Sequence, residues 1–369
     1  HGYRLLWVIP LSTLLLIQFH LIAVRIGAAT GKGFVAAIRH RYGHGWGYAA
    51  VIALLLTNFG TICAEYAGIS AAGSLIGIPS WVSAPLAGVL ISMVVVLGSF
   101  HRVERILLVI SATLALYLVD GVLAGPDWSS VARHSLIPSL PTGAGAWVAV
   151  AATLGTTLAP WGLAFIQSYA VDKKITVANL RWERLDVVVG SLLTGVIGLA
   201  IAVACAATLH RAGVHIENAA DAAAALEPLA GSFAKLLFGM GLLGASLLAA
   251  AIVPLATAYS IAEGIGAQAS LDLDSRHFQL FYAAFIGLTV AAVSVVSIPG
   301  LPLIPLIYSS QVINAVLLPL HALALHLLAR DVSLMGEACS SRSAMLAEWL
   351  GIAIIISCVL ALAVNWVAL

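Results

Sequence analysis

Three polar side chains stand inside apolar runs where hydrocarbon would penalise them, and all three offer hard oxygen atoms to a cation. Glu65 lies in TNFGTICAEYAGISAAG with no charged neighbour. Gln311 and Asn314 lie in SSQVINAVLLPLHAL, three residues apart and therefore on one face of a helix. Such an amide pair either coordinates a cation through its oxygens or joins helices by hydrogen bonds. Polar groups at membrane depth are functional candidates by default. A fourth feature belongs to the backbone. Between Gly145 and Val171 an apolar run carries Pro160 and Gly162 near its centre, preceded by Gly155, Thr156, Thr157 and Ala159. Proline removes a helical donor and so frees carbonyl oxygens. At that depth a break is tolerated only where protein, water or a substrate satisfies those oxygens. Discontinuous helices of this kind build midplane ion sites.

The other titratable residues read as structural. His20, His321 and His326 also sit in apolar runs, but His321 and His326 are five apart and form no i, i+4 metal pair. Glu104, Asp120, Asp186 and Glu263 fall at helix ends, where they are expected to be interfacial or paired with Arg102, Arg105 or Arg184. Asp272 and Asp274 are too sparse for a calcium loop. Cys63, Cys205, Cys339 and Cys358 show neither metal-ligand spacing nor a disulfide framework. With no hydrolase triad, zinc spacing or phosphate loop, the chain reads as a non-enzyme with no resident cofactor.

The elements that must position these groups are membrane helices. The chain has 369 residues, 62% of them hydrophobic and 9% charged, with a mean hydropathy of +1.06. That excludes a soluble domain. Runs apolar on all sides exclude a membrane strand barrel. The reading is an all-α polytopic membrane protein. Its partners are the lipid bilayer and small cations; a net charge of +1 gives no reason to invoke nucleic acid, and no obligate protein partner is implied. Ten runs reach the roughly 20 residues a span needs: 3–28, 46–77, 80–99, 104–125, 145–171, 184–209, 233–265, 277–297, 302–328 and 346–369. The Pro/Ser-rich 126–144 reads as an extracellular loop, and 210–232 as a loop followed by a short surface helix capped by Asn218 or Asp221. Thirteen of the seventeen Lys and Arg fall on one side when spans alternate. The positive-inside rule then makes 29–45 and 172–183 cytoplasmic loops of a plasma-membrane protein. The chain opens at His1 directly in an apolar run, which leads to the expectation that one more helix precedes it.

Several stretches resemble the natural resistance-associated macrophage protein family of divalent-metal transporters. GYRLLWVIPLSTLLLIQFHLIAVRIGAATGKG is similar to its second helix, AEYAG with SLIGIPSWV to its third, and ATLGTTLAPWGLAF to its sixth. SQVINAVLLPL resembles its tenth, and SLMGEA the start of its last. The resemblance implies an inverted-repeat transporter fold with a broken sixth helix and ten of eleven helices present, the first being absent. It assigns 1–125 to helices 2–5 of the first repeat, 126–144 to the extracellular loop, 145–330 to helices 6–10 of the second repeat, and 331–369 to a connecting loop and helix 11.

The departures carry the functional expectation. Where the family's sixth helix has Met-Pro-His, this chain has Ala159, Pro160 and Trp161. A soft thioether favours transition metals, and alanine removes it. Ile62 replaces an Asp of the third helix while Glu65 is kept; Ile166 replaces a second His, and Leu317 a second Gln. Groups associated with the family's proton pathway are thereby lost. This resembles the magnesium-transporting branch related to that family. The implied activity is facilitated uptake of largely hydrated Mg²⁺, and also Mn²⁺, without proton coupling. The implied metal-site residues are Thr156, Ala159, Glu65, Gln311 and Asn314, shaped by Pro160, Trp161, Gly162 and Ile62. The alternatives are a proton-coupled Mn²⁺ or transition-metal transporter and an organic-solute carrier on the same fold.

Overall fold

The structure, a computed structural model, describes residues 1–97, 112–139, 143–214, 216–224, 231–267 and 278–367. In hydrocarbon each backbone N–H and C=O must be satisfied within its own segment, so apolar runs become helices. No strand occurs among the described residues. In chain order the helices are α1 Val8–Thr30, α2 Phe34–Tyr42, α3 His44–Ser74, α4 Ser80–Leu97, α5 Leu116–Leu123, α6 Trp128–Leu136, α7 Ala144–Thr157 and α8 Pro160–Asp172. They continue as α9 Leu180–Cys205, α10 Ala219–Ala223, α11 Ala234–Ile265, α12 Phe278–Val296, α13 Leu303–Ala329, α14 Val332–Met335 and α15 Arg342–Val367. Seven helical segments among the described residues are long and apolar enough to cross a membrane, and two shorter ones, Ser80–Val96 and Leu280–Val296, are nearly so. The expected span 104–125 lies partly outside the described residues. So do Arg102, Glu104, Arg105, Asp272, Asp274 and Arg276, and the side chain of Asp120.

Two segments expected to be loops contain helices. The first, 29–45, holds α2, whose Phe34, Val35, Ala37 and Ile38 are buried while Arg39, His40 and Arg41 close its last turn. The second, 126–144, holds α6. Asp127 caps it, accepting from the Ser129 and Ser130 N–H groups at 3.0 and 3.3 Å. The Ser129 and Ser130 hydroxyls, with these N–H donors, hold its carboxyl down at about 2. The expected helix after 210 is α10, and both proposed caps act together: Asn218 accepts from Ala220 and Asp221, and Asp221 reaches back to the Asn218 N–H in a capping box.

Among the described residues two large apolar clusters, with four smaller ones, make up the interior. One joins α1, α2, α7 and α13 to α15 through Phe19, Ile26, Phe34, Leu154, Leu318 and Ile355. The other joins α3, α4, α11 and α12 through Ile62, Tyr66, Ile91, Tyr259 and Phe285. Helix α3 packs along both α11 and α13, so it bridges the clusters. Lipid is as apolar as these side chains, so close packing and interhelical polar contacts, not hydrophobicity, hold the bundle together. The broken span is the most enclosed of the long ones: 56% of its most apolar stretch is buried, against 22% for Val177–His210.

Candidate functional site

The break falls at Leu158 and Ala159. Proline disfavours helical geometry in the residue before it, and Ala159 is accordingly extended at φ −47° and ψ 130°. Pro160 then starts α8 at its first position, where its missing N–H is harmless. The same missing donor leaves the Thr156 carbonyl without its i+4 partner. Thr153 and Thr157 return their hydroxyls to the carbonyls four residues back at 2.9 and 2.8 Å. Thr156 is exposed at the break, and Leu158, Ala159 and Pro160 are buried. The α7 C-terminus, with its partial negative charge, and the α8 N-terminus face one another here.

Helix α13 meets α7 at this level because of Gly155. A Cβ there would lie 1.9 Å from the Gln311 carbonyl oxygen and 2.7 Å from the Ala315 nitrogen, so only glycine admits the backbone of α13. This brings the Gln311–Asn314 face to the break. Asn314 is fully buried. Its Nδ2 donates to Gln311 Oε1 at 3.2 Å and to Thr61 Oγ1 of α3 at 3.0 Å. Gln311 Nε2 donates to the Ser310 hydroxyl at 3.0 Å. One turn earlier on α3, Asn58 Nδ2 donates to Thr257 Oγ1 of α11 at 2.8 Å. Neutral polar side chains therefore link α3 to α11 at Asn58 and Thr257, and α3 to α13 at Thr61, Asn314 and Gln311. Among the described residues no group of three or more His, Cys, Asp or Glu side chains could hold a metal.

Of the residues expected at the site, Gln311 and Asn314 lie together on α13, which approaches α7 at Gly155, next to Thr156 and the break at Ala159 and Pro160. Glu65 is half-buried one helical turn beyond Thr61, a rise of about 6 Å, and it faces Ser246 of α11 rather than the break. Ile62 is fully buried in the second apolar cluster, against which Trp161 and Phe165 pack. Trp161 begins an aromatic series that runs through Phe165 and Tyr169 on α8 to Tyr259 on α11 and Phe281 on α12. Thr61 was not anticipated. The signal was its place in a polar stripe with Thr57, Asn58 and Glu65 at helical spacing.

One expectation for a titratable residue needs correction. Glu263 is no interfacial helix-end residue. Its Oε2 accepts from the Val35 and Ala36 N–H groups at 3.0 and 3.2 Å, and its Oε1 from the Ser168 hydroxyl at 2.6 Å. It thus caps α2 and ties it to α8 and α11, a long-range contact that local spacing does not report. A Cβ on Gly33 would fall 1.7 Å from its Oε1, so the site requires glycine there. Asp186 is exposed near the start of α9, as an interfacial residue would be, and forms no ion pair with Arg184 among the described residues; two positions apart, they point to different sides of α9. His20 lies beside the first turn of α8, its Nε2 being the atom nearest a Cβ built on Gly162, at 3.7 Å. The other two histidines are structural. His321 stacks on Phe34. His326 bonds Glu348 at 2.6 Å.

Residues 1–365 match the family model described as natural resistance-associated macrophage protein-like. The chain is 28% identical over 261 residues to a divalent metal cation transporter of Caldanaerobacter subterraneus subsp. tengcongensis, covering 68% of this chain and 62% of that one. A Yersinia pestis protein of the same name is 28% identical over 256 residues, covering 67% and 62%. The chain therefore spans somewhat less than two thirds of the length of these relatives. In fold it is similar to a manganese transporter of Eremococcus coleocola, with a TM-score of 0.74 at 21% identity, covering 97% of this chain and 79% of that one. It is also similar to MhsT in complex with L-phenylalanine, with a TM-score of 0.59 at 16% identity, covering 99% and 94%.

Proposed function

Because the chain belongs to the natural resistance-associated macrophage protein-like family, we propose that it carries divalent metal cations across the plasma membrane, Mg²⁺ foremost and also Mn²⁺, as largely hydrated ions and without proton coupling. The relatives named above are divalent metal cation transporters, which supports the coarser part of this reading.

The observation that carries the finer part is the donor set. Gln311, Asn314, Thr61 and the carbonyls freed before Pro160 are all oxygen and all neutral, and Ala159 contributes no sulfur. Mg²⁺ binds oxygen and keeps several of its waters; oxygen donors suit Mn²⁺ as well, and the soft thioether that would disfavour Mg²⁺ is absent at Ala159. Hydrated Mg²⁺ enters at the break, the α7 carbonyl end presents its partial negative charge, and the amides take up water-bridged or direct contacts. Glu65, a turn away, adds negative charge through water. An inside-negative potential drives a divalent cation inward by about 4.6 kcal/mol per 100 mV, twice the single-charge value. No second ion is required. Rocking of one helix group against the other then opens the opposite side.

The test is uptake into proteoliposomes with a Mg²⁺ indicator and a pH dye inside. Mg²⁺ should enter under an inside-negative potential with the internal pH constant; acidification in proportion to the flux would overturn the uncoupled reading. The second reading, a proton-coupled Mn²⁺ carrier, is favoured by His20, a titratable imidazole facing the first turn of α8. Under that reading His20→Gln abolishes acidification while metal still binds.

A further inference from the structure

At the start of α9 a cavity of about 620 Å³ is lined by Val177, Ala178, Leu180, Arg181, Trp182, Arg184, Leu185 and Val188. Its chemistry is two-part. Arg181 and Arg184 are exposed, and neither takes part in an ion pair among the described residues. They share a helix face with Leu185 and Val188, at i, i+3, i+4 and i+7. Glu183 and Asp186 fall on the other side of the helix by the same spacing, so the cavity contains both cations and neither anion.

Above the cavity the helix turns lipid-facing. Leu185, Val189, Leu192, Leu193 and Val196 are each about half exposed in a span that is otherwise strongly apolar. Trp182, 71% exposed, stands at the junction, where amphipathic aromatic rings mark the membrane–water interface. The loop before it brings two further cations, Lys173 and Lys174, both exposed. A molecule filling this cavity meets two guanidinium groups at one end and a continuous apolar track at the other.

We propose that this cavity is a binding site for an anionic phospholipid, its phosphate held by Arg181 and Arg184 and an acyl chain lying along Leu185, Val188 and Leu192. Guanidinium pairs suit phosphate oxygens, and basic pockets beside membrane helices recognise anionic head groups. A free phosphate or a soluble anion would use the arginines but leave the apolar track unused. The bound lipid would sit against the loop that joins α8, the second half of the broken span, to α9.

Native mass spectrometry of the purified, delipidated protein tests this with phosphatidylglycerol, phosphatidylcholine and inorganic phosphate as the added probes. Phosphatidylglycerol should be retained in preference to phosphatidylcholine, and millimolar inorganic phosphate should not displace it. The double substitution Arg181→Gln with Arg184→Gln should weaken phosphatidylglycerol retention about 30-fold, taking about 1 kcal/mol per cation. Arg181→Lys with Arg184→Lys should keep most of it. Equal retention of the two lipids, equal retention by wild type and the glutamine variant, or displacement by phosphate would each overturn the proposal. If the glutamine variant does not fold, the wild-type preference and the phosphate competition still decide.

Discussion

The break between α7 and α8 and the two carboxylate nodes at Glu263 and Glu348 are polar regions built on opposite plans. At the nodes every carboxylate oxygen has its partners. Glu348 takes His326 Nδ1 at 2.6 Å and the Ser340 hydroxyl at 2.7 Å, with Arg25 Nη2 at 3.5 Å. Glu263 takes two backbone N–H groups and a hydroxyl. At the break the groups are neutral, Thr156 is exposed, and the Thr156 carbonyl has lost its helical donor to Pro160. Charge at these two nodes ties helices together, whereas the polar groups beside the break are uncharged oxygens. A satisfied buried carboxylate has little capacity left for a cation, while amides and carbonyls remain available to one.

The largest effect should come from dismantling a node. Glu348→Ala strands Arg25 and His326 in the interior and should destabilise the protein by about 3–5 kcal/mol. Thermal unfolding in detergent, read by size-exclusion monodispersity, checks this; an unchanged midpoint would remove the distinction between the regions. Next is Gly155→Ala, whose methyl group would overlap the Gln311 carbonyl. It should cut Mg²⁺ uptake by at least about tenfold, because misplacement by about 1 Å weakens an organised site strongly. Gly190→Ala, which meets nothing within 4 Å, is the matched control. Gln311→Ala should lower uptake by about tenfold with unfolding unchanged, on the scale of one lost hydrogen bond to a charged group. A loss of stability instead would move Gln311 to the structural plan. Ala159→Met should raise the Mn²⁺ to Mg²⁺ uptake ratio by roughly threefold through a soft contact; a constant ratio would remove sulfur from the selectivity argument.

The smallest effect concerns an exposed carboxylate, the contrast to both buried nodes. The Asp127 carboxyl lies at about 2 in the folded protein, held there by Ser129 and Ser130, against an ordinary 3.8. A lowered folded value favours the fold at pH above about 4, and this contribution disappears as pH falls through about 2. Asp127→Asn should therefore lower the unfolding midpoint slightly at pH 7, leave it nearly unchanged below about pH 2, and flatten its decline between pH 4 and pH 2. An unaltered acid slope would remove the cap from the account.

Much of the candidate site's geometry was legible in the sequence. Pro160 within an apolar run located the break, and the Gln311–Asn314 spacing placed both amides on one face. Thr61 was legible in principle, through its stripe with Asn58 and Glu65, but a lone threonine in an apolar helix usually bonds its own i−4 carbonyl, as Thr61 also does. Glu65 stood out because it is charged, yet it faces Ser246, a turn from the amides. Glu263 and Glu348 were misplaced or unnoticed because their partners, Val35 and Ala36 for one and Arg25 for the other, lie more than two hundred residues away.

The sequence by itself determined the helices, the position of the break and the absence of sulfur at Ala159. Each is local: hydrocarbon forces a segment to satisfy its own backbone, and a proline removes its donor wherever it stands. Only the tertiary structure decided which polar groups share a level in the bundle, which carboxylates bind helices together, and that Gly155 admits α13 to the break. A polar side chain in hydrocarbon must find its partner on another helix, and the distance along the chain to that partner is not constrained by local spacing.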